Sequence, residues 1–255
     1  MIHHDIHDVQ GVRVAVLRVA HGKANAIDVE FFESLIAALN EVESSDVQAV
    51  VLTGSGRNFS AGVQLFAVIE GGHSYLQEFL PVLSEGLRRL FTFPRPVIAA
   101  INGHAIAGGC ILALAADRRI CVSEGAKLGV TELMVGVPFP SAPLEVVRHH
   151  LPLHVAQDLI LTARLVAPDE ALKLGLVDEL RSAEELLERA VGTAAKMGQI
   201  PSRTFAVSKR QLRGDALAAM DRGAETYDEE VREIWAAPQT LDGIRRFMDA
   251  TVRGR

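Results

Sequence analysis

Residues 97–110 read VIAAINGHAIAGGC, in which the apolar run Val97–Ile101 is followed by a segment rich in glycine and alanine. This pattern predicts a buried strand that leads into the N-terminus of a helix. The first N–H groups of a helix have no intrahelical partner and carry a partial positive charge, and glycine lets a ligand approach the backbone closely. The junction can therefore bind an anionic oxygen, although a glycine-rich turn also serves plain strand-to-helix packing.

A second junction of the same kind lies upstream. Val47–Thr53 has the pattern of a strand, and it continues through a Gly-Ser-Gly turn into Phe59-Ser-Ala-Gly-Val-Gln-Leu65, which has small residues where a helix would begin. Two sets of backbone donors that face one point would form an oxyanion hole.

The rest of the chain repeats this alternation of strands and helices. Strand patterns occur at 12–19, 47–53, 97–101 and 119–123, and helical patterns occur at 29–42 and 75–92. From residue 141 onward helical patterns dominate, ending with 202–212, 216–235 and 240–252. The strands are apolar on both faces, which predicts an α/β fold, but periodicity does not distinguish a doubly wound sheet from a stacked spiral. The paired glycines of Glu70–Ser74 predict a mobile segment between two helical stretches.

Composition narrows the classes of function. A net charge of −6 argues against a nucleic-acid partner, and 49% apolar residues suffice for one globular domain with a helical tail. The two cysteines, Cys110 and Cys121, offer neither a disulfide framework nor a metal cage, so no metal is expected. Without a membrane-length apolar run or a signal pattern at the N-terminus, we expect a soluble, cytoplasmic protein.

Five motifs in a fixed order resemble the crotonase, or enoyl-CoA hydratase/isomerase, superfamily. They are Lys23-Ala-Asn-Ala-Ile27, Phe59-Ser-Ala-Gly62, the segment 96–117, Leu128-Gly-Val-Thr-Glu-Leu-Met-Val-Gly136 and Leu174-Gly-Leu-Val-Asp178. The resemblance implies a spiral of ββα turns in residues 1–200 and a C-terminal helical region in 201–255, both parts of one structural unit. It also implies a homotrimer or a dimer of trimers. The substrate would be an acyl-CoA, with coenzyme A as part of the substrate and no permanently bound cofactor.

The resemblance also implies roles for individual residues. The oxyanion-hole donors would be the backbone N–H groups of Ala61 and Gly108, and Glu132 would be the catalytic carboxylate. An apolar neighbourhood would raise the basicity of that carboxylate. Residues expected to contact the substrate or its coenzyme A are Lys23, Ala24, Ala26, Gly62, Val63, Gln64, Ile111 and Phe247.

Ile111 marks an informative departure from the family pattern. Hydratases of the family usually carry a second glutamate after Gly-Gly-Cys, where this chain has Ile111. Hydration needs a water that is held, deprotonated and aimed, whereas a 1,3 proton shift can use one carboxylate. The chain therefore looks most like the 3,2-enoyl-CoA isomerase branch. Two alternatives stay open: a 2-enoyl-CoA hydratase of fatty-acid β-oxidation, and a non-catalytic acyl-CoA-binding homologue.

Overall fold

A computed structural model describes the backbone of residues 2–253 and the side chains up to residue 250. Most of the chain before residue 130 is built from pairs of strands followed by a helix. The strands are β1 (Ile2–Val9), β2 (Val12–Val19), β3 (Ala49–Gly54), β4 (Asn58–Ser60), β5 (Val97–Ile101), β6 (His104–Ile106), β7 (Arg118–Val122), β8 (Leu128–Gly129) and β9 (Glu179–Arg181). The helices are α1 (Val29–Glu43), α2 (Leu65–Phe91), α3 (Gly108–Leu114), α4 (Ser141–His150), α5 (Leu153–Thr162), α6 (Pro168–Leu174), α7 (Leu186–Gly198), α8 (Ser202–Ala236) and α9 (Pro238–Arg253), with a 3₁₀ turn at Glu132–Val135.

Two sheets organise the core. The larger has the order β1-β2-β3-β5-β7-β9, and the smaller has the order β4-β6-β8. All strand pairs are parallel except the β1–β2 hairpin. After the β1–β2 hairpin, whose two strands both belong to the larger sheet, each following pair of strands adds one strand to each sheet, which confirms the predicted α/β spiral with a C-terminal helical region. The central strands β3 and β5 are buried throughout, as their apolar sequences require.

Several elements were not predicted from the sequence. Strand β1 is polar and largely exposed, so it lacks the alternation that marks a half-buried strand. Strands β4, β6 and β8 contain only two or three residues, which is too short for a periodic pattern. These short strands nevertheless matter most for the site, because they set the positions of α2, α3 and the 3₁₀ turn.

Two helices differ from their predicted extents. Helix α2 begins at Leu65 rather than at residue 75, and the expected mobile segment is helical except at Gly72, whose φ of 52° and ψ of −138° interrupt the helix. Helix α8 is one helix of 35 residues rather than two, because Gly214 is accommodated within it. A single glycine costs a helix only about 1 kcal/mol, which the packing of a long helix offsets.

A buried ionic cluster joins helix α8 to Asp117, the residue that precedes β7 in the larger sheet. The Asp117 carboxylate accepts hydrogen bonds from Lys209 Nζ at 2.8 Å, from Arg213 Nη2 at 2.8 Å and from the Val97 amide at 2.8 Å. The side chains of Asp117, Lys209 and Arg213 are at most 10% exposed. Removing one partner of such a cluster would leave a buried charge without compensation.

The surface carries an apolar area next to the 3₁₀ turn. Met134 of this turn is 53% exposed, and Leu153 and Leu161 of the contacting helix α5 are 60% and 72% exposed. Exposed apolar side chains grouped in this way are typical of protein interfaces. Within the described chain, none of the helices has both the length and the hydropathy that crossing a bilayer requires.

Candidate active site

Glu132 begins the 3₁₀ turn that follows β8, and the structure buries it. Its side chain is 7% exposed, and Oε2 has no hydrogen-bond partner among the described residues. Burial raises the pKa of Glu132 from 4.5 to about 8, and the backbone N–H groups of Glu132 and Thr131 offset only part of this increase. An unpaired buried carboxyl is costly to a fold, and such groups concentrate at functional sites.

Glu132 lines a small apolar cavity of about 20 Å³, which we call the inner cavity. Its volume has room for about one water molecule. Among the residues that the structure describes, Glu132 is the one ionisable side chain in a lining otherwise made of apolar residues: Ile27, Phe32, Val63, Leu83, Leu87, Gly108, Ile111, Phe139, Pro140, Pro143 and Trp235. A carboxylate at this position is therefore shielded from bulk water.

Ile111 lines the inner cavity together with Glu132. It lies in the first turn of α3 and is 1% exposed. Strand β6, which precedes α3, pairs with β8, which precedes Glu132, through Ala105 opposite Leu128. This parallel pairing places the two strand ends, and hence Ile111 and Glu132, on one side of the smaller sheet.

The two glycine-containing junctions contact each other. Gly62 has a φ of +85°, and a Cβ atom there would lie 2.8 Å from the Ile106 carbonyl oxygen and 3.3 Å from the Gly108 amide nitrogen. A Cβ atom at Gly109 would lie 2.2 Å from the Ser60 carbonyl oxygen. Only glycine permits this approach, which brings the chain on both sides of Gly62 next to the N-terminus of α3.

The backbone amides at the junctions are not equally available. The Ala61 amide donates to the Ala24 carbonyl at 3.0 Å, and the Gly62 amide donates to Ser60 Oγ at 3.2 Å. The Val63 amide has no hydrogen-bond acceptor in the described part of the chain. Gly108 is the first residue of α3, where an amide lacks an intrahelical acceptor. This geometry argues against the expected role of Ala61, whose donor is already used.

A wider cleft of about 540 Å³, the outer cleft, meets the inner cavity at Val63. It brings together Ala24, Ala26, Ala61, Gly62, Val63, Gln64 and Phe247, with Leu65, Phe66 and Met248. Lys23 is exposed next to this cleft but does not line it, and Ile111 and Gly108 line the inner cavity instead. Six of the eight residues expected to contact the substrate or coenzyme A thus share one cleft.

Asn25 positions one wall of the outer cleft and was not predicted as a site residue. It is fully buried with a φ of +51°, and its Nδ2 donates to the carbonyls of Ser55 and Asn58 at 3.1 and 2.9 Å. Asparagine tolerates positive φ better than most residues, which is a signal that the motif Lys23–Ile27 contained.

His104 is structural, since its Nδ1 accepts a hydrogen bond from the Lys127 amide at 3.1 Å.

Comparisons with known proteins agree with this architecture. A family model described as "Enoyl-CoA hydratase/isomerase" matches residues 10–250. A putative enoyl-CoA hydratase of Thermus thermophilus is 36% identical over 234 residues, which cover 89% of this chain and 90% of that protein. A probable enoyl-CoA hydratase of Bacillus subtilis is 31% identical, over 92% of both chains.

Solved structures of two enoyl-CoA enzymes have a similar fold. A probable enoyl-CoA hydratase of Mycobacterium tuberculosis has a TM-score of 0.83 at 29% identity, with 91% of this chain and 96% of that chain covered. The human mitochondrial delta3-delta2-enoyl-CoA isomerase has a TM-score of 0.92 over 99% of both chains, and its 21% identity supports the fold alone. The family match over nearly the whole chain shows that this protein belongs to the enoyl-CoA hydratase/isomerase family.

Proposed function

We propose that this protein is an acyl-CoA isomerase that converts a 3-enoyl thioester into a 2-enoyl thioester. The observation that carries the proposal is the inner cavity, in which one buried carboxyl, Glu132, faces apolar side chains that include Ile111. The family match supports the wider statement that the substrate is an enoyl-CoA. The isomerase assignment rests on the chemistry that a single carboxylate can perform.

The thioester carbonyl would bind between the amides of Val63 and Gly108. We choose Val63 rather than Ala61 because the Ala61 amide already donates to Ala24. Two N–H donors stabilise the negative charge that develops on the carbonyl oxygen when the α carbon loses a proton. The loss of one such donor costs on the order of 3 kcal/mol of transition-state stabilisation in other enzymes.

Glu132 would move the proton. Its carboxylate removes a proton from C2, and the electron pair of that C–H bond forms the enolate held by the two amides. When the enolate collapses, the double bond shifts from C3–C4 to C2–C3, and Glu132 returns the proton to C4. Glu132 is regenerated and no other reactant is consumed. A pKa near 8 suits this role, because a base is most effective when its pKa lies near the working pH.

Hydration of a 2-enoyl thioester is the second candidate, because the relatives from Thermus thermophilus and Bacillus subtilis are named hydratases. Against it, the described lining of the inner cavity contains no second carboxylate beside Glu132 to hold and orient a water molecule. A non-catalytic homologue would have no need for an unpaired buried carboxyl, which costs stability.

One assay separates these functions. The purified protein is given a 3-enoyl-CoA and a 2-enoyl-CoA in separate reactions, and the products are resolved by chromatography. We expect a double-bond shift from the first substrate and slow or absent hydration of the second. Fast hydration without a double-bond shift would reverse the ranking, and no turnover of either would favour the non-catalytic homologue.

A further inference from the structure

Strand β1 forms an open edge of the larger sheet. It stands at one end of the strand order and pairs with β2, and no strand of the described chain pairs with its other side. Six of its eight residues are exposed. An open edge presents backbone N–H and C=O groups to which another strand can bind, and proteins commonly protect such edges with lysine, proline or a bulge. The sequence of β1, IHHDIHDV, contains neither lysine nor proline, and its pairing with β2 is continuous from Ile2 to Val9.

The hairpin turn between β1 and β2 determines which backbone groups face outward. Gln10 and Gly11 are the two turn residues, and their φ values of 54° and 80° are those that a type I′ turn requires. The residues that flank such a turn, Val9 and Val12, form a hydrogen-bonded pair, and hydrogen-bonded and non-hydrogen-bonded pairs then alternate along the hairpin. Every second residue of β1 therefore points its backbone groups away from β2: Ile2, His4, Ile6 and Asp8.

These outward groups restrict how a second copy of β1 fits the edge. Residues directly opposite each other in an antiparallel sheet are either both hydrogen-bonded or both not, so a two-fold axis between two copies must pass through a residue position. Two such registers pair seven residues of each strand. With the axis at Asp5, the two Asp5 carboxylates face each other and repel. With the axis at Ile6, His4 of each copy lies opposite Asp8 of the other. Asp5 of each copy then lies opposite His7.

The register centred on Ile6 matches the side chains of the two strands. It forms four imidazole–carboxylate pairs, and an imidazole donates an N–H to a carboxylate in both its neutral and its charged form. The two Ile6 side chains, each 41% exposed in the single chain, face each other at the centre. Asp8 keeps one oxygen for the contact, because the Gly11 amide donates to its Oδ1, at 3.0 Å. His4 Nε2 lies 3.8 Å from Glu41 Oε1, which is too far for a hydrogen bond that would hold the ring.

We propose that the open edge of β1 is an interaction surface that binds β1 of a second copy of this chain, with the two-fold axis at Ile6. The contact joins the larger sheets of two copies into one continuous sheet. It is separate from the apolar area next to the 3₁₀ turn, so if trimers form through that area, pairing of β1 would join two trimers. The inference does not depend on the proposed isomerase activity, because β1 lies outside the described lining of the inner cavity and of the outer cleft.

Disulfide capture at the centre of the contact tests the surface. In Ile6→Cys the two thiols oppose each other in a hydrogen-bonded pair with Cα atoms about 5.5 Å apart, a distance that a disulfide spans. The native cysteines, Cys110 and Cys121, are buried. We expect Ile6→Cys in oxidised glutathione to form a covalent dimer at least about tenfold faster than His3→Cys, whose two cysteines would lie about 20 Å apart along the strands. Non-reducing electrophoresis measures both rates, and equal rates or no dimer would overturn the proposal.

An exchange of charges tests the register. Added to Ile6→Cys, His7→Asp places carboxylates opposite each other, and Asp5→Lys removes the carboxylate from the same pairs, so each variant alone should dimerise more slowly than Ile6→Cys. In a mixture of the two, the introduced aspartate lies opposite the introduced lysine, and Asp5 of one copy lies opposite His7 of the other. Mixed dimers, identified by mass spectrometry, should therefore form faster than either like dimer. If they do not, or if each variant alone dimerises as fast as Ile6→Cys, the proposed pairing is wrong.

Discussion

Replacing Glu132 by glutamine should abolish turnover and, at the same time, stabilise the fold. Glutamine keeps the shape of the side chain but cannot accept the proton, so catalysis stops. In the unmodified protein, burial raises the pKa of Glu132 from 4.5 to about 8. Ionisation of this side chain above pH 4.5 therefore favours the unfolded chain, where the carboxylate is hydrated. The glutamine variant does not ionise and escapes this penalty.

The magnitude follows from the two pKa values. Below pH 4.5 the carboxyl is protonated in both states, so its ionisation does not affect stability. Between pH 4.5 and about 8 the unfolded chain releases the proton while the folded chain retains it, and the free energy of unfolding falls by about 1.4 kcal/mol per pH unit. The stability of the variant relative to the unmodified protein should thus rise by about 3 kcal/mol by pH 7 and by about 5 kcal/mol above pH 8.

Urea unfolding of both proteins, at one protein concentration and at several pH values between about 5 and 9, measures this difference. All other titrating groups are common to the two proteins, so their effects cancel. The shape of the difference curve is decisive. A stability difference that does not change with pH would show that Glu132 ionises as readily in the folded protein as in the unfolded chain, and it would refute the argument that burial tunes the base.

The pH dependence of kcat/KM should report the ionisation of Glu132. We expect kcat/KM, measured by steady-state kinetics, to rise by about tenfold per pH unit up to about pH 8 and to reach a plateau above it. A profile that is level from about pH 6 to 9 would count against Glu132 as the base. Ile111→Glu should add some hydratase activity and lower the isomerase rate, since the two carboxylates can flank one water but can also share a proton; unchanged isomerisation without hydration would separate Ile111 from the reacting carbons. Asp117→Asn should lower the free energy of unfolding by about 3–5 kcal/mol, because two buried cations lose their partner; a change below about 1 kcal/mol in urea would contradict this. Light scattering at micromolar concentration should give the mass of a trimer or hexamer, with the exposed apolar area near the 3₁₀ turn as the contact surface, and a monomeric mass would exclude it.

The sequence predicted those parts of the site that depend on local patterns. Ile111 and Glu132 were expected beside the reacting carbons, and they line one cavity because β6 and β8, the strands that precede them, are neighbours in the smaller sheet. The small residues of the Gly62 junction were also found at the N-terminus of α3, where a Cβ atom would not fit. Both features come from short segments whose residue types limit the backbone.

Features that depend on contacts across the fold could not be read in this way. The Ala61 amide is not free to bind a substrate oxygen because it donates to the Ala24 carbonyl, whereas the Val63 amide is free within the described chain. The side chains of these residues do not indicate which backbone groups will be hydrogen-bonded in the fold. Trp235 follows Glu132 by about a hundred residues, and an apolar helical pattern does not tell which cavity a helix will cover. The division at residue 200 also stays a prediction.

The buried Asp117 cluster has a consequence for the order in which the chain can complete its fold. Lys209 follows Asp117 by 92 residues, and Arg213 follows it by 96. At a synthesis rate of 5–20 residues per second, the ribosome needs roughly 5–20 s to supply these cations after the carboxylate has been made. During that interval neither of the two cations that pair with Asp117 is present, and the arrival of α8 supplies both. A chain that ended before Lys209 would lack both ion-pair partners of Asp117, so the buried carboxylate requires the C-terminal helix before the main fold is complete.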